Sequence, residues 1–375
     1  MKRLLVLALV LTMNSAVFAA NEIVLGAAQA MSGSTATFGI ETVYGMKMAL
    51  EKINQKGLLG GRKIKLIVED TKGEPVDTAN AVRKLINIDK VSVIMGEVAS
   101  SNTLAAAPIA QESKVPLISS ASTNEKVTMA GDFISRICFT DDFQGVVLAK
   151  FAAEGLKKKV AATIVDNSSD YAKGLDKVFR KKFIELGGTI VKDNDFTYQQ
   201  KDSDFRTLLK KVKRANPDVI FVPGYYTEVG LILRQAREMG ITAPFLGGDG
   251  WESPKLFEIA GDKGIQGGYI TSHYAADDQD PKVIEFVKEY KKMYGEAPGT
   301  MAALGYDVLM VVADAITRAG KSDPVAIKNA INATKGFAGV TGLITLNKDR
   351  NAIKSAVVLE TVKGGVYKFV SRVNP

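Results

Sequence analysis

Short apolar strands alternate with amphipathic helices along the first part of the chain. EIVLGAAQA reads as a strand, and TVYGMKMALEKINQKG has the apolar spacing of a helix with a terminal glycine. KIKLIVED alternates as a strand does, TANAVRKLINID returns to the helical period, and the apolar runs VSVIMG and VPLISS flank the helical segment NTLAAAPIA. Strands that alternate with helices of this length predict βαβ units and a parallel sheet covered on both faces.

A second series of the same kind begins near residue 141. It contains the helical segments FQGVVLAKFAAEGL, AKGLDKVFRKKFIELGG, FRTLLKKVKRAN and EVGLILRQAREMG, and the strands KVAATIVD, TIVKDNDF, DVIFVPG and APFLGG. After IQGGYITSHY the chain is expected to turn back, so that VIEFVKEYKKMYG and the helix from Met301 to Ala319 join one lobe. The segments SAVVLETVKGG and VYKFVSRV predict a terminal hairpin around Gly364 and Gly365. The pattern predicts two lobes of similar build.

Small hydroxyl residues stand where two of the predicted buried strands end. These are Ser100 and Ser101 after VSVIMGEVA, and Ser119, Ser120, Ser122 and Thr123 at the end of VPLISSAST. In open α/β sheets the ligand crevice lies outside the carboxyl ends of the strands, and free N–H groups at helix starts favour an anion there. Helix capping by single Ser and Thr residues is the alternative. Two such strand ends side by side favour a shared site for a carboxylate.

The amino terminus has the features of an exported protein. MKRLLVLALVLTMNSAVFAA combines a basic start, a short apolar run and small residues before Asn21, which predicts a signal peptide over residues 1–19. An uncleaved anchor is the alternative, but the apolar run is short for a bilayer span. Cleavage would leave a periplasmic protein of about 355 residues, which exceeds what one core normally supports and again indicates two domains.

Charge and cysteine content narrow the class of protein. The formal net charge of +8 falls to +6 without Lys2 and Arg3, and the remaining lysines are spread along helices, so nucleic-acid binding is not expected. Cys138 is the single cysteine of the sequence, which excludes an internal disulfide and predicts a small buried hydrophobe.

The sequence lacks the linear motifs of several enzyme classes. LGAAQAMSGS stands where a dinucleotide-binding GxGxxG would follow the first strand, and RAGKS lacks the first glycine of a phosphate-binding loop. No GxSxG, HExxH or CxxC occurs in the sequence, and His273 is its single histidine. The pairs Asp141–Asp142 and Asp277–Asp278 are interpreted as capping or loop carboxylates. No catalytic residue, cofactor or metal is predicted.

Five segments carry a resemblance to a known family: AMSGSTATFG, GEVASSNT, ISSAST, PGYYTEVGLILRQAREMG and FLGGDG. With them the sequence resembles the periplasmic branched-chain amino-acid binding proteins of ABC transporters, which have the type I solute-binding fold. The resemblance implies an α/β fold of two similar lobes, each a parallel-type sheet covered by helices, joined by a three-stranded hinge. It places the N-terminal lobe at 20–140 plus 273–343 and the C-terminal lobe at 141–272 plus 344–375.

The resemblance also implies a set of ligand-binding residues. For the ligand carboxylate they are Ser100, Ala121 and Thr123, with Val98, Ala99 and Ser122 beside them; the aromatic residues are Phe38, Tyr171 and Tyr225; the acid for the ammonium is Asp249. Trp251 and Met301 are weaker candidates for the apolar lining. Gly73 and Ala99 stand where several family members have a disulfide, Asp249 replaces a more usual glutamate, and Phe38 replaces a more usual tyrosine.

The expected function is a monomeric periplasmic receptor. It would close its lobes over an aliphatic α-amino acid and hand this ligand to a membrane ABC permease. Two alternatives remain open at this point. One is an exported hydrolase that acts on a small amide in the same crevice with His273 as its base, and the other is a ligand sensor for a signalling partner.

Overall fold

The computed structural model describes residues 22–58, 60–192 and 196–375. The predicted signal peptide lies outside these ranges. The strands are β1 Glu22–Gln29, β2 Lys63–Asp70, β3 Ile94–Gly96, β4 Leu117–Ser119, β5 Ile134–Arg136, β6 Val160–Thr163, β7 Val165–Asp166, β8 Thr189–Ile190, β9 Thr197–Tyr198, β10 Val219–Phe221, β11 Phe245–Gly247, β12 Gly268–Ser272, β13 Phe337–Gly339, β14 Gly342–Leu346, β15 Ala352–Ile353, β16 Ala356–Val362 and β17 Val366–Val373.

The α-helices are α1 Ala36–Lys56, α2 Pro75–Asn87, α3 Ser100–Glu112, α4 Lys126–Met129, α5 Asp141–Lys150, α6 Asp170–Glu185, α7 Arg206–Ala215, α8 Tyr226–Glu238, α9 Pro254–Gly264, α10 Pro281–Tyr294, α11 Thr300–Ala319 and α12 Pro324–Asn332. A π-helical turn, Phe151–Gly155, continues α5, and a 3₁₀ turn, Asp249–Trp251, follows β11.

The first sheet is parallel throughout, in the order β2-β1-β3-β4-β5. Successive residues of β1 face opposite sides, as the two-residue period of a strand requires. Ile23, Leu25 and Ala27 belong to the core cluster shared with α1 and α11, whereas Ala28 packs in a separate cluster with α2 and α3. The predicted parallel sheet covered by helices on both faces is confirmed for this half.

The second sheet is mixed, in the order β17-β16-β12-β11-β10-β6-β8. The neighbouring strands β12, β11, β10, β6 and β8 pair in parallel, and β16 and β17 are added antiparallel at the β12 edge. The predicted terminal hairpin is confirmed. Gly364 and Gly365 form its turn at φ of 87° and 76°, a left-handed conformation that glycine adopts without strain.

Several elements were not predicted from the sequence because they are short or interrupted. The strand β5 and the helix α4 have three and four residues. Helix α9 contains Gly261 at φ 68°, which breaks its regular period. The helix α12 and the small sheet β13-β14-β15 were missed as well, although α12 has a proline at its start and a cap in which Asp323 accepts from the amide of Ala326 at 2.9 Å.

The apolar helix α11 lies in the interior of the protein. By length and composition it would be able to cross a membrane, but most of it is buried against other elements. It crosses α1 so closely that a Cβ on Gly45 would lie 1.9 Å from the carbonyl oxygen of Ala302, and one on Gly305 would lie 2.1 Å from that of Thr42. Because only glycine allows this approach, the α1–α11 contact explains the apolar character of α11 as packing.

The segment after β14 remains attached to the first sheet. The backbone amide of Arg136 in β5 donates to the carbonyl of Arg350 at 3.1 Å, and the Arg350 guanidinium donates to the carbonyls of Ile134 and Thr128 at 3.0 and 2.6 Å. The chain enters the second sheet only at β16. These contacts of Arg350 with β5 lie beyond residue 343, where the predicted N-terminal lobe ends.

Candidate functional site

A small cavity lies where the carboxyl ends of strands from both sheets meet. It is lined by Phe38, Val98, Ser100, Ala121, Thr123, Tyr171, Tyr225, Asp249, Gly250 and Met301. Eight of these ten residues were predicted as ligand-binding from the sequence, and Met301 was a weaker candidate. The lining residues lie after strands or at the starts of helices, which is the position expected for a ligand in open α/β sheets.

One pole of the cavity is built from the amino-terminal end of α3. Ser100 is the first residue of α3, is 1% exposed, and its hydroxyl accepts from the amide of Asn124 at 3.2 Å. The first N–H groups of a helix have no partner within the helix, and the helix dipole adds positive potential at this end. Thr123 also lines the cavity, and with its hydroxyl this pole has the chemistry of a carboxylate site.

Other hydroxyls of the two strand ends hold the site together from behind. The hydroxyls of Ser119, Ser122 and Thr103 donate to the carbonyl of Glu97 at 2.8, 2.8 and 3.1 Å. The Glu97 carboxylate accepts from the Thr71 hydroxyl at 2.7 Å and from the Ala99 amide at 2.8 Å. These bonds fix the loop after β3 against the loop after β4.

Two predicted ligand residues lie outside the lining of this cavity. Ser122 and Ala99 do not line the cavity. The Ser122 hydroxyl is engaged with Glu97 and with the carbonyl of Val98 at 3.0 Å, and the Ala99 amide is bonded to the Glu97 side chain. Both residues shape the loops that present Ser100 and Thr123.

The opposite pole of the cavity is the carboxylate of Asp249, in the 3₁₀ turn after β11. Its Oδ1 accepts from the Tyr171 hydroxyl at 3.0 Å and from Nε2 of Gln144 at 3.1 Å, and its Oδ2 is 3.2 Å from Nε2 of His273. A carboxylate has about four acceptor positions, so roughly one remains for a ligand. Gly248 precedes Asp249, and a Cβ there would lie 2.3 Å from the Tyr171 hydroxyl.

His273 supports Asp249 from the interior. Its ring is 1% exposed and stacks on Phe139 with centroids 3.6 Å apart. Burial lowers the pKa of His273, against the opposing effect of Asp249, so a neutral imidazole that donates from Nε2 is favoured. His273 does not line the cavity. It is a positioning partner of the carboxylate, which the sequence did not indicate.

Asp141 is a second buried acid beside Asp249. The sequence indicated a capping or loop carboxylate; in the structure the residue begins α5, is 2% exposed, and its Oδ1 accepts from Nε2 of Gln144 at 2.8 Å. Gln144 thus donates to both acids. Burial, and next the charge of Asp249, raise the pKa of Asp141 to about 8, so Asp141 holds a proton near neutral pH and a single negative charge remains at this pole.

The replacement Asp141→Asn is expected to flatten the pH dependence of stability. Between the ordinary pKa of 3.8 and about 8, the folded protein retains a proton that the unfolded chain has released. The free energy of unfolding therefore falls as pH rises in this window, by up to about 1.4 kcal/mol per pH unit for this one group. Urea unfolding between about pH 5 and about pH 8 measures the slope, which should be smaller in the variant.

The matched control for this prediction is Asp349→Asn, which changes an exposed acid. It should keep the slope of the unchanged protein. Equal slopes for Asp141→Asn and the unchanged protein would contradict the retention of a proton by Asp141.

Aromatic side chains form the apolar wall between the two poles. Tyr171 and Tyr225 stack with centroids 5.3 Å apart, and Phe38 meets Tyr225 edge-on at 6.0 Å. Trp251, a candidate from the sequence, is fully buried outside the lining, and its Nε1 donates to the carbonyl of Val222 at 2.8 Å. Met301, at the start of α11, does line the cavity.

Contacts between the two halves close the cavity on several sides. The Asp170 amide donates to the Ser101 hydroxyl at 2.9 Å, and the Thr227 hydroxyl donates to the carbonyl of Ser34 at 2.9 Å. The free volume left between the lining side chains is about 10 Å³, close to the room that one water molecule needs. A larger ligand can enter only when the halves separate, and it would set the angle at which they close.

Gln144, His273 and Asp141 are the polar residues of the site that sequence reasoning did not assign to it. Their signal in the sequence is weak. Gln144 and Asp141 lie in the first turn of α5, where polar residues are common, and His273 directly follows β12. They converge on Asp249 only because α5 and β12 pack beside the turn after β11.

Two α/β halves that enclose a small bipolar cavity define a solute-binding protein of the two-lobed type. The profile of the family described as periplasmic binding protein matches residues 22–365. The chain therefore belongs to this family, and the resemblance seen in the sequence is confirmed.

Proteins of known binding specificity are similar to this chain over nearly its whole length. The leucine-, isoleucine-, valine-, threonine- and alanine-binding protein of Pseudomonas aeruginosa is 30% identical over 316 residues, which cover 84% of this chain and 83% of that protein. The crystal structure of the leucine binding protein LivK of Thermotoga maritima has a TM-score of 0.89 at 39% identity, with 94% of this chain and 99% of that chain covered. The LivJ structure of Streptococcus pneumoniae in complex with isoleucine has a TM-score of 0.89 at 34% identity and covers 94% of this chain and 100% of that chain.

Proposed function

We propose that this protein is a periplasmic receptor that captures a branched-chain amino acid between its lobes and delivers it to an ABC permease. One observation carries the proposal: the cavity has hydrogen-bond donors at one pole, around Ser100 and Thr123, and the Asp249 carboxylate at the other. An α-amino acid is a zwitterion and needs both. The binding of leucine, isoleucine and related amino acids by the similar proteins supports this ligand class.

The two poles and the wall each contribute a different part of the affinity. Charge-assisted hydrogen bonds at the carboxylate and ammonium are worth about 1.5–3 kcal/mol each. An aliphatic side chain against Phe38, Val98 and Met301 would add about 0.8 kcal/mol for each buried methylene. The stacked tyrosines Tyr171 and Tyr225 also offer ring faces to the ammonium.

Ligand binding and lobe closure are coupled in this proposal. Ser100, Thr123 and Phe38 belong to the first half and Asp249, Tyr171 and Tyr225 to the second, so only the closed form gives the ligand all its contacts. The ligand stabilises this form by its higher affinity for it. The permease would recognise the closed arrangement of a monomeric receptor.

The lobe boundaries form part of the proposal. We propose a first lobe of 20–140 plus 273–343 and a second of 141–272 plus 344–375, with one change. The bonds of Arg350 to β5 favour assigning 344–354 to the first lobe, so that the third connection lies near Ser355.

A calorimetric screen of the twenty amino acids tests the ligand class. Leucine, isoleucine or valine should give saturable heat, and aspartate or lysine should give none, because a charged side chain would be buried unpaired against the apolar wall. 4-Methylpentanoate, which is leucine without its ammonium, should bind much more weakly than leucine. If 4-methylpentanoate bound as tightly as leucine, Asp249 would not hold an ammonium and the proposal would fail.

The hydrolase considered from the sequence is not favoured by the geometry. Its required base, His273, has its Nε2 against Asp249, is stacked on Phe139, and does not reach the cavity. We therefore propose binding without turnover. Incubation of the purified protein with leucinamide should release no ammonia above the rate in buffer, and release that is abolished in His273→Ala would restore the hydrolase.

A further inference from the structure

A second and larger cavity lies between the two halves, on residues that the amino-acid site does not use. Its volume is about 370 Å³, and it shares no lining residue with the first cavity. The first half contributes α1, α10, the stretch after β12 and residues 296–299. The second half contributes the start of α9 and the hairpin of β16 and β17. The exposed side chain of Val366 is part of its rim.

Two acidic side chains face this cavity with oxygen atoms that have no partner. Glu252 is 6% exposed; its Oε1 accepts from the amide of Thr300 at 3.0 Å, and its Oε2 has no hydrogen-bond partner. Oε2 of Glu41, in α1, is also buried without a partner. A buried acceptor without a donor is costly, and the great majority of such atoms in native proteins are satisfied. Both acids therefore point to a missing donor.

The remaining walls are aromatic. Tyr274, Tyr290, Tyr367 and Phe257 line the cavity, and the hydroxyl of Tyr274 is buried without a partner as well. The Tyr367 hydroxyl is already engaged, since it donates to the carbonyl of Trp251 at 2.8 Å. Aromatic faces together with carboxylates are the surroundings that organic ammonium ions prefer.

An inorganic divalent ion does not fit this donor set. Calcium takes six to eight oxygen ligands, and magnesium requires near-ideal octahedral geometry. Among residues 22–58, 60–192 and 196–375, no group of three or more His, Cys, Asp or Glu side chains is arranged for a metal ion. Two carboxylates between ring faces suit a cation that carries its own hydrocarbon.

We propose that this cavity binds a small organic diammonium ion, with one ammonium at Glu41 and one at Glu252 and the hydrocarbon between the aromatic rings. The site is independent of which solute the first cavity takes. Because Glu41 belongs to the first half and Glu252 to the second, the bound cation bridges the halves and favours the closed form. The bound diammonium ion therefore raises the affinity of the protein for the amino acid, and by reciprocity the bound amino acid raises the affinity for the diammonium ion.

Protonation competes with the cation at this site. Burial raises the pKa of Glu41 to about 8, with Glu252 and Glu296 adding to the effect. Burial also raises the pKa of Glu252 to about 7, against the opposing effect of the neighbouring Ser272 and Thr300 and with a small contribution from Asp249. The other titratable groups on the walls are the exposed acid Glu296 and the tyrosines Tyr274, Tyr290 and Tyr367, and burial raises the pKa of each tyrosine. A cation that requires both carboxylates ionised therefore releases protons and binds more tightly as pH rises from about 6 to about 8.

Titration calorimetry of the mature protein with butane-1,4-diammonium tests the proposal. Saturable binding is expected at about pH 8, with roughly tenfold weaker binding for each unit of decrease in pH per proton displaced. Measurements in buffers of different ionisation enthalpy should show proton release. Butane-1,4-diol, which has the same length without charge, should not bind, and neither potassium nor calcium ions should displace the diammonium at equal concentration.

Variants separate this site from the amino-acid site. Glu252→Gln and Glu41→Gln together should reduce diammonium affinity at least tenfold, whereas the control Glu258→Gln, an exposed acid in α9, should leave it unchanged. Asp249→Asn should weaken amino-acid binding. Measured without amino acid, its affinity for the diammonium ion should stay close to the original value.

Four results would each overturn the proposal. They are the absence of saturable diammonium binding to the unchanged protein, binding of the diol with equal affinity, tighter binding of calcium or potassium, and an unchanged diammonium affinity in the double variant. The proton-release measurement needs no variant, so the proposal stays testable if the double variant fails to fold.

Discussion

The replacement Asp249→Asn is expected to reduce leucine affinity about 10- to 100-fold while leaving the ligand-free protein at least as stable. The amide keeps the shape of the side chain and one oxygen, which accepts from Tyr171 and Gln144 as Oδ1 does. Its NH2 group then faces Nε2 of His273, which accepts from it when the imidazole proton is on Nδ1. It removes the negative charge, so the bond to the ligand ammonium loses its charge-assisted character, worth about 1.5–3 kcal/mol. Calorimetry gives the affinity and thermal unfolding gives the stability.

The stability part of this prediction follows from the pair of buried acids. The charge of Asp249 is the second cause, after burial, of the raised pKa of Asp141, so it disfavours the ionised form of Asp141. Its removal lowers the pKa of Asp141, and with it the free energy spent on keeping Asp141 protonated near neutral pH, and is not expected to lower the midpoint of thermal unfolding. The site thus keeps a charge that disfavours the ligand-free fold in order to bind the ammonium.

A pair of ligands and a control variant sharpen this experiment. For the unchanged protein, leucine should bind much more tightly than 4-methylpentanoate, and in Asp249→Asn this difference should nearly disappear, as in a double-mutant cycle. Asp262→Asn, an exposed acid of the same half, should retain the difference. If the variant still distinguished leucine from 4-methylpentanoate by the original factor, the ammonium would be bound elsewhere.

The double replacement Ser100→Ala and Thr123→Val is expected to produce a still larger loss, of roughly 100-fold or more in leucine affinity. Each hydroxyl would donate to the ligand carboxylate, and two charge-assisted bonds together are worth about 3–6 kcal/mol. The backbone N–H groups at the start of α3 are unchanged, so the loss should be near the lower end of this range. Calorimetry with leucine measures it.

The companion ligand is 3-methylbutylamine, which is leucine without its carboxylate. Its affinity for the double variant and for the unchanged protein should be nearly equal, because the altered hydroxyls have no charge to bind. Ser120→Ala is the matched control, since Ser120 is a buried serine at the same strand end that does not line the cavity. A leucine affinity in the double variant within threefold of the original would show that the carboxylate lies at a different pole.

The two poles would act in different ways on closure. Loss of Asp249 removes a contact supplied by the second half, and loss of Ser100 and Thr123 removes contacts supplied by the first. In either case the ligand loses part of its preference for the closed form, and its affinity falls by that amount. The direct bonds between the halves, such as Ser101 with Asp170, remain in both variants.

The correspondence between the predicted and observed elements depends on their length. β1 and β2, with eight residues each, and α11, with twenty, carry enough periods of apolar spacing to be recognised. The three-residue β5 and the two-residue β15 do not, because a strand of this length has no measurable period. These short strands exist because neighbouring elements supply their hydrogen bonds.

The sequence by itself determined the α/β class, the pairing of strand ends with helix starts, and the residues that match the family. These features are local. A run of apolar side chains, a serine after a strand, or a glycine beside Asp249 can be recognised from neighbouring residues in the sequence. It also determined the chemistry available at each position, and the resemblance to the family added the expectation of a zwitterionic ligand. Eight of the predicted residues lie together around the cavity.

The tertiary structure alone decided which polar groups act together. Gln144 and Asp249 are 105 residues apart in the chain, and Glu41 and Glu252 are even further apart, yet each pair converges because separate helices and turns pack side by side. The same packing turned Ser122 and Ala99 away from the cavity by giving their polar groups nearer partners in Glu97 and Val98. Burial and the competition for hydrogen bonds arise from contacts between distant segments, and no pattern along a single sequence encodes their outcome.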